Sequence, residues 1–475
     1  MSEPSQTDHR RSLGILGMVC IGIVGIQAWF GLCLQDDAYI SFRYARNAAL
    51  GDGLVYNAGE PVEGYTNFLW TALFVPVEAM GLDPGPVGAL LGMACTVAML
   101  YATWRLGDRK WLAPVLVASF PGLALEGVQG LETCFYAWLV TMALVGGRAW
   151  PVFAGLAALT RPEGYAVFGL LWLLRGSKIQ TGAIFTGLTV PHLAFRWITY
   201  GGLVPNTFHA KVGGGEDTLL GSAVFRGLAY LGSGAWSALP LALGLLAVVV
   251  ATTRDRKLPD GRRGFEMCVL VGFFFVYILA VGGDFKGTGR FLIPWLPAIA
   301  CLVQAGLNRL FAARIGVVSA ALAGAAVVWS VPGQLEMKDF AERFAEDLDR
   351  RRAIGTFLAE TLPPDTVLAV HAAGILPYYA GLETIDMWGL NDAHIARAPV
   401  DDLGKGIAGH ERHDYAYVLT RAPDFILPER GLVTDTPVQL ADPPEFGPTF
   451  SKHYRAASTP TPVGHLNLWM RIPTE

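Results

Sequence analysis

The stretch RRSLGILGMVCIGIVGIQAWFGLCLQDDAYISFRYARN, residues 10–47, decides how the chain is read. Two arginines precede an apolar run from Leu13 to Leu34, long enough to cross a hydrocarbon core of about 30 Å. A cleaved leader would carry a shorter apolar core and a small-residue cleavage site, so the run is read as an uncleaved anchor. Arg10 and Arg11 belong inside by the positive-inside rule, which makes Gln35 and the acidic pair Asp36-Asp37 emerge outside.

The rest of the chain fits a membrane protein. Hydrophobic residues make up 52% of the 475 and charged ones only 16%, against about 25% charged in soluble domains; the mean hydropathy is +0.40. A net charge of -4 offers no basic footprint, which sets nucleic-acid partners aside. Cys20, Cys33, Cys95, Cys134, Cys268 and Cys301 lie in or beside apolar runs without a CxxC pattern, so neither a disulfide framework nor a zinc site is read from them.

Further apolar segments occupy 67–80, 86–106, 111–125, 131–145, 150–160, 164–174, 181–200 and 236–251, then 265–281, 291–307 and 315–331. Arg254, Arg256, Lys257, Arg262 and Arg263 form the strongest cytoplasmic marker. Counting onward puts 282–290 outside, Arg309 and Arg314 inside, and everything after 331 outside. Nine segments precede the basic loop, whereas two cytoplasmic points require an even number of crossings. At least one segment therefore does not span, two form one crossing, or a segment is missing; the short pieces 150–160 and 164–174, separated by Arg161-Pro162-Glu163, are candidates for half-helices around a buried polar break. The piece 67–80 is also short, and 219–234 is a weak uncounted crossing.

After residue 334 the character changes. Residues 337–362 are charged with helical periodicity, 366–370 reads as a buried strand, and 384–387 as a second strand after a short Gly-bounded helix. The expectation is a mainly α protein: a polytopic bundle of about 10–12 membrane helices over residues 1–333, with a first external loop at 35–66, and a small external α/β domain at 334–475.

The first loop holds the chemistry. One aspartate at a helix start is explained by capping, worth about 1 kcal/mol; a second adjacent carboxylate adds repulsion, which favours a functional pair. Tyr39, Phe42, Ala45 and Ala49 recur at near-helical spacing, with Arg43 and Arg46 on one turn, as in a helix lying in the membrane interface. Read as structure alone, Glu63 caps a helix, His371 is a domain histidine and Gly51-Asp52-Gly53 is a turn.

The runs DDAYISFRYARN and GDGLVYNAGEPVEGYTNFLW resemble the first loop of bacterial GT-C-type glycosyltransferases related to the mycobacterial terminal arabinofuranosyltransferase. The likeness continues through GLET at 130–133, LTRPEG at 159–164, VPNTFHAK at 204–211, GGDF and GRFLIPWLP within 282–297, and DMWGLNDAHIA at 386–396. It implies a GT-C fold, a polyprenyl-phosphate sugar as donor (an arabinofuranose or another pentose or hexose), and a cell-envelope glycan or glycolipid acceptor outside the cell membrane. It also implies a single external carboxylate centre acting by direct displacement with inversion.

Such a reaction needs a carboxylate to accept the proton of the acceptor hydroxyl or to hold a divalent cation, help typically worth 10²- to 10⁴-fold. Asp36 is the expected base and Asp37 its orienting or metal-holding neighbour. It also needs cations where charge grows on the departing phosphate; Arg43, Arg161, His209, Lys211 and Arg290 are the candidates, with Asp284 in a glycine-rich loop that permits close approach. A secondary transporter or lipid flippase is the alternative, but it would show internal repeats and midplane charges, whereas the charges here concentrate in external loops.

The topology predicts that, in a background stripped of native cysteines, a cysteine at 284 or just after 334 reacts with a membrane-impermeant thiol reagent on intact cells. One at 257 should react only after lysis. The reverse pattern would overturn the orientation.

Overall fold

The computed structural model describes residues 6–211, 219–255, 261–284, 286–400, 410–429 and 432–473. Arg256 and Lys257 of the basic loop lie outside them. The chain forms two compact units. Unit 1 comprises residues 1–33, 85–194 and 220–343; unit 2 comprises 34–84, 195–219 and 344–475. A linear division at residue 333 thus differs from the spatial one, because the first loop belongs with the C-terminal region.

Helices α1 (Gln6–Phe30), α2 (Asp36–Leu50), α3 (Phe68–Ala79), α4 (Pro84–Leu106), α5 (Leu112–Ala118), α6 (Pro121–Glu126), α7 (Thr133–Val145), α8 (Trp150–Thr160), α9 (Glu163–Leu174) and α10 (Ile179–Tyr200) follow in order. After them come α11 (Asn206–Lys211), α12 (Leu219–Ser237), α13 (Leu239–Asp255), α14 (Gly261–Val281), α15 (Leu296–Leu310) and the long α16 (Ile315–Thr361).

In unit 1, α1, α4, α14 and the apolar part of α16 are long and apolar enough to cross a membrane, and α12 with α13 forms a further apolar pair bent by 103°. The weak stretch from residue 219 is therefore helical. Ile21, Phe225 and Val317 are 76%, 79% and 74% exposed; outward apolar side chains in such numbers fit a lipid surface. The chain is a multi-pass membrane protein.

Helices α7, α8 and α9 are all short. At about 1.5 Å per residue they are each under about 20 Å long. Trp150, at the start of α8, stacks on Phe168 in α9 with ring centres 5.5 Å apart, and Phe168 stacks on Phe185 of α10 at 3.7 Å. Helices α8 and α9 therefore fold back on each other. The cause is local: proline disfavours helical geometry in the residue before it, Arg161 is extended (φ -149°, ψ 143°), and α8 ends there. A Cβ on Gly164 would lie 2.3 Å from the Ala158 nitrogen, so only glycine permits so tight a return.

Unit 2 is built on a sheet. Strands β1 (Val367–Val370), β2 (Glu383–Asp386) and β3 (Phe425–Ile426) are parallel, with β1 between the other two. Strand β4 (Val433–Thr434), β5 (Tyr454–Thr461) and β3 all pair antiparallel to β6 (Gly464–Arg471). Helix α17 (Ile375–Ala380) links β1 to β2. The two sequence-read strands and the Gly-bounded helix are thus found; the antiparallel half carried too few alternating residues to be seen.

On one sheet face, Ile40, Tyr44, Tyr56 and Tyr65 of the first loop pack with Leu368, Val370, Leu376, Leu466 and Leu468. Tyr39, Phe42, Tyr44 and Ala45 are at most 1% exposed. This corrects the interfacial reading of α2: its aromatic face is buried in protein, because a folded partner covers it.

Arg43 also changes role. Its Nε donates to the Tyr56 carbonyl (2.8 Å), Nη1 to the Pro377 carbonyl (2.8 Å) and Thr384 Oγ1 (3.4 Å), and Nη2 to Asn57 Oδ1 (2.9 Å) and the Leu382 carbonyl (2.7 Å). The guanidinium has five N–H donors, and all are taken. Arg43 ties α2 and the first loop to the sheet and is not a phosphate ligand. Lysine has no fork to reach these acceptors, so Arg43→Lys should cost about 3 kcal/mol or more through stranded buried carbonyls. A thermal unfolding midpoint equal to that of the parent would refute this.

Candidate functional site

Helix α2 begins with the acidic pair, and Gln35 makes no side-chain cap bond there. Asp36 reaches instead to the loop that follows β1. Its Oδ2 accepts from the Gly374 N–H and its Oδ1 from the Ile375 N–H, both at 2.9 Å, and Arg351 Nη1 lies 3.8 Å from Oδ1. The carboxylate stands at the start of α17, where unpaired backbone N–H groups favour negative charge. A Cβ on Gly374 would lie 1.9 Å from the Asp36 carbonyl oxygen and 2.7 Å from its Cγ, so this approach requires glycine.

Burial pushes the Asp36 carboxyl above the usual range, against the pull of Arg351 and the Ile375 N–H; the neighbouring Asp37 adds to the rise. The side chain still keeps 23% of its surface accessible. Asp37 is half-buried beside it. The next turn is held as well: Arg46 donates to the Tyr378 carbonyl at 2.6 Å, and the Tyr378 hydroxyl donates to Glu78 at 2.7 Å.

Two motifs far apart in sequence are joined within unit 2. The Asn206 side-chain amide donates to the carbonyls of Gly389, Leu390 and Asp392 at 2.9–3.1 Å, and Arg397 donates to its Oδ1 at 3.0 Å. The loop it grips is shaped by Asp386, which accepts from the backbone of Trp388 and Asn391 and from the Asn391 amide; burial pushes the Asp386 carboxyl up to about 6. Glu63 accepts from Arg196 Nη2 at 2.9 Å, and its Oε2 lies 2.7 Å from Arg196 Nε in the same ion pair; its carboxyl is pushed up to about 7 by burial against the pull of that arginine. Its carbonyl accepts from the Asn206 N–H at 2.9 Å, so Glu63 is a docking residue and not a simple cap.

His209 projects from α11, half-exposed, its pKa held down by burial and by Arg397 and Arg412. Lys211 ends that helix, and its side chain lies outside the described residues. Asp36, Asp37, Arg43, His209 and Lys211 all belong to unit 2.

Arg161, Asp284 and Arg290 belong to unit 1. Arg161 sits at the α8–α9 return, bonded to Glu132 at 2.8 Å and Glu163 at 3.0 Å. Glu163 also accepts from the Tyr277 hydroxyl at 2.7 Å. Arg290 pairs with Asp284 at 2.6 Å. Between these side chains lies a cavity of about 10 Å³, room for one water. The Tyr136 hydroxyl, Glu163 Oε2 and Trp295 Nε1 are buried without a hydrogen-bond partner among the described residues. Each arginine already carries a carboxylate, so a phosphate would bind by exchange. Among the described residues no three His, Cys, Asp or Glu side chains are grouped to hold a metal ion.

Sequence reasoning missed Gly374, Ile375, Arg351, Arg196 and Asn206. The glycine after a predicted strand and Asn206, inside the VPNTFHAK motif, offered a signal. The others act through contacts between residues more than a hundred positions apart.

Residues 340–468 match a family model described as a domain of unknown function (DUF8728). The chain is 28% identical over 61% of its length to the terminal beta-(1->2)-arabinofuranosyltransferase of Corynebacterium glutamicum, covering 50% of that protein. It is 29% identical over 41% of its length to the protein of the same name from Mycobacterium tuberculosis, covering 37%. The chain thus spans about half or less of the length of these relatives. In three dimensions it resembles ArnT from Cupriavidus metallidurans, both bound to undecaprenyl phosphate and in the apo state. In each case the TM-score is 0.54 with 14% identity over 79% of this chain, covering 85% and 86% of the solved chains. By sequence, then, the chain is similar to these terminal arabinofuranosyltransferases, and by fold it is similar to ArnT.

Proposed function

We propose that this chain is a glycosyltransferase that moves a sugar, arabinofuranose or a related pentose or hexose, from a polyprenyl-phosphate donor to a cell-envelope glycan or glycolipid at the outer face of the cell membrane. The observation that carries the reading is the acidic pair at the start of α2, with one carboxylate clamped by two backbone N–H groups. The names of the relatives support the sugar class, and the lipid phosphate bound to ArnT supports the donor class.

In this reading the two aspartates divide the work differently from the sequence expectation. Asp36 has both oxygens engaged by the backbone, which suits it to hold position and charge. Asp37 is the base: it takes the acceptor hydroxyl proton as that oxygen bonds to the anomeric carbon. The bond from that carbon to the phosphate oxygen breaks, the polyprenyl phosphate leaves with the electron pair, and the configuration inverts. A divalent cation on the pair would stabilise the growing phosphate charge. His209 and Lys211 are the phosphate-side cations of unit 2. Within unit 1, Arg161, Asp284 and Arg290 form a polar group of their own, whose arginines would bind a phosphate only by exchanging their carboxylates.

Asp→Asn keeps size and removes the base, so purified Asp37→Asn should transfer arabinose from a short-chain prenyl-phosphate donor about 10²- to 10⁴-fold more slowly, with normal donor binding. Gly374→Ala should displace Asp36 and cut turnover at least about tenfold, the scale of one lost charge-assisted bond. Near-native turnover in both Asp36→Asn and Asp37→Asn would falsify the proposed centre.

A further inference from the structure

A second polar region of unit 1 lies at the other ends of α7, α8 and α9, away from the Arg161 return. There, Val145 ends α7, Trp150 starts α8 and Leu174 ends α9, and the first turns of α10 and α14 line the same cleft. A cleft of about 710 Å³ opens among them, lined by Arg148, Arg175, Lys178, Arg262 and Arg263 against the single carboxylate of Glu266. We propose that it binds the headgroup of an anionic phospholipid of the inner leaflet.

The floor of the cleft is preorganised. Arg175 donates to both oxygens of Glu266, at 3.0 and 2.7 Å, and to the Ala143 carbonyl at 2.9 Å; its guanidinium lies over the Trp150 ring, 5.0 Å from the centroid. Arg262 donates to the same carboxylate at 3.2 Å and to the Leu174 carbonyl at 3.0 Å. Glu266 is thereby neutralised twice over. Arg263 leans toward Asp108 at 3.4 Å. Arg148 and Lys178 line the cleft from its exposed edge, and their side chains pair with no described residue. Two unspent cations above a doubly neutralised acid make a site for a phosphate-bearing anion.

A lipid phosphate suits the surroundings better than a soluble one. Trp150 and Trp172 line the cleft, and tryptophan favours the membrane–water boundary. Ile184 lines it too, and Leu173 and Ile179 beside it are 65% and 87% exposed, an apolar rim where acyl chains would lie. The basic residues put this end inside by the positive-inside rule, where anionic lipids enrich the leaflet and basic pockets between membrane helices take diphosphate headgroups. The cations concerned have no part in the transfer chemistry, so this site stands apart from that reading.

The test uses the purified full chain in detergent, with native mass spectrometry reading retained cardiolipin against phosphatidylcholine. Cardiolipin should be retained preferentially, and a variant carrying both Arg148→Gln and Lys178→Gln should weaken it about 30-fold, from roughly fivefold per cation. Both residues are exposed, so the variant should unfold at the parent's temperature. Millimolar inorganic phosphate or pyrophosphate should not displace the lipid. Equal retention of the two lipids, unchanged cardiolipin binding in the variant, or phosphate binding without lipid selectivity would each overturn the proposal.

Discussion

The five hydrogen bonds of Arg43 are the constraint on which unit 2 depends. A guanidinium can be buried when every N–H finds an acceptor, and here the acceptors come from the first loop, α17 and the start of β2. With Arg43 in place, α2 is locked against the sheet, and Tyr44, Tyr56 and Tyr65 complete a core shared with β1 and β6. The acidic pair sits on the first turn of that same helix. Its position is set by a buried cation two turns away, which is why a loop residue can meet the backbone of Gly374 to within hydrogen-bond distance.

The same logic joins the remaining motifs of unit 2. Asn206 satisfies three carbonyls of the 389–392 loop, a loop whose polar groups would otherwise be stranded. Glu63 holds both Arg196 and the Asn206 backbone. These residues recognise other parts of the protein, and their motif-like character reflects a demand for satisfied buried polar groups as much as a demand for chemistry.

Unit 1 separates its charges. At one end of three short helices Arg161 bridges two glutamates; at the other, five cations face one. Helices under about 20 Å long cannot cover a full hydrocarbon core, and pairing at one end contrasts with unspent cations at the other. That asymmetry agrees with the positive-inside bias.

Much was legible along the chain: the membrane class, the GT-C likeness, the two parallel strands with their linking helix, and the importance of the first loop. These depend on hydropathy over windows of residues, on local turn chemistry, and on motif strings, all of which are properties of neighbours in sequence. The roles of individual residues were another matter. Arg43 resembled a phosphate ligand until its five acceptors were seen, the α2 aromatics resembled a lipid-facing stripe until the sheet covered them, and 150–160 with 164–174 resembled one broken crossing until Trp150 was found stacked on Phe168. An amphipathic pattern specifies that a face is buried but not what buries it, and a cation carries no mark of which acceptors will reach it. The sequence by itself determined which segments are apolar and where the acidic pair stands; only the tertiary structure decided which charges are spent on the fold, because those partners come from other elements of the chain, 29 residues away for Arg161 and Glu132 and 334 for Arg43 and Pro377.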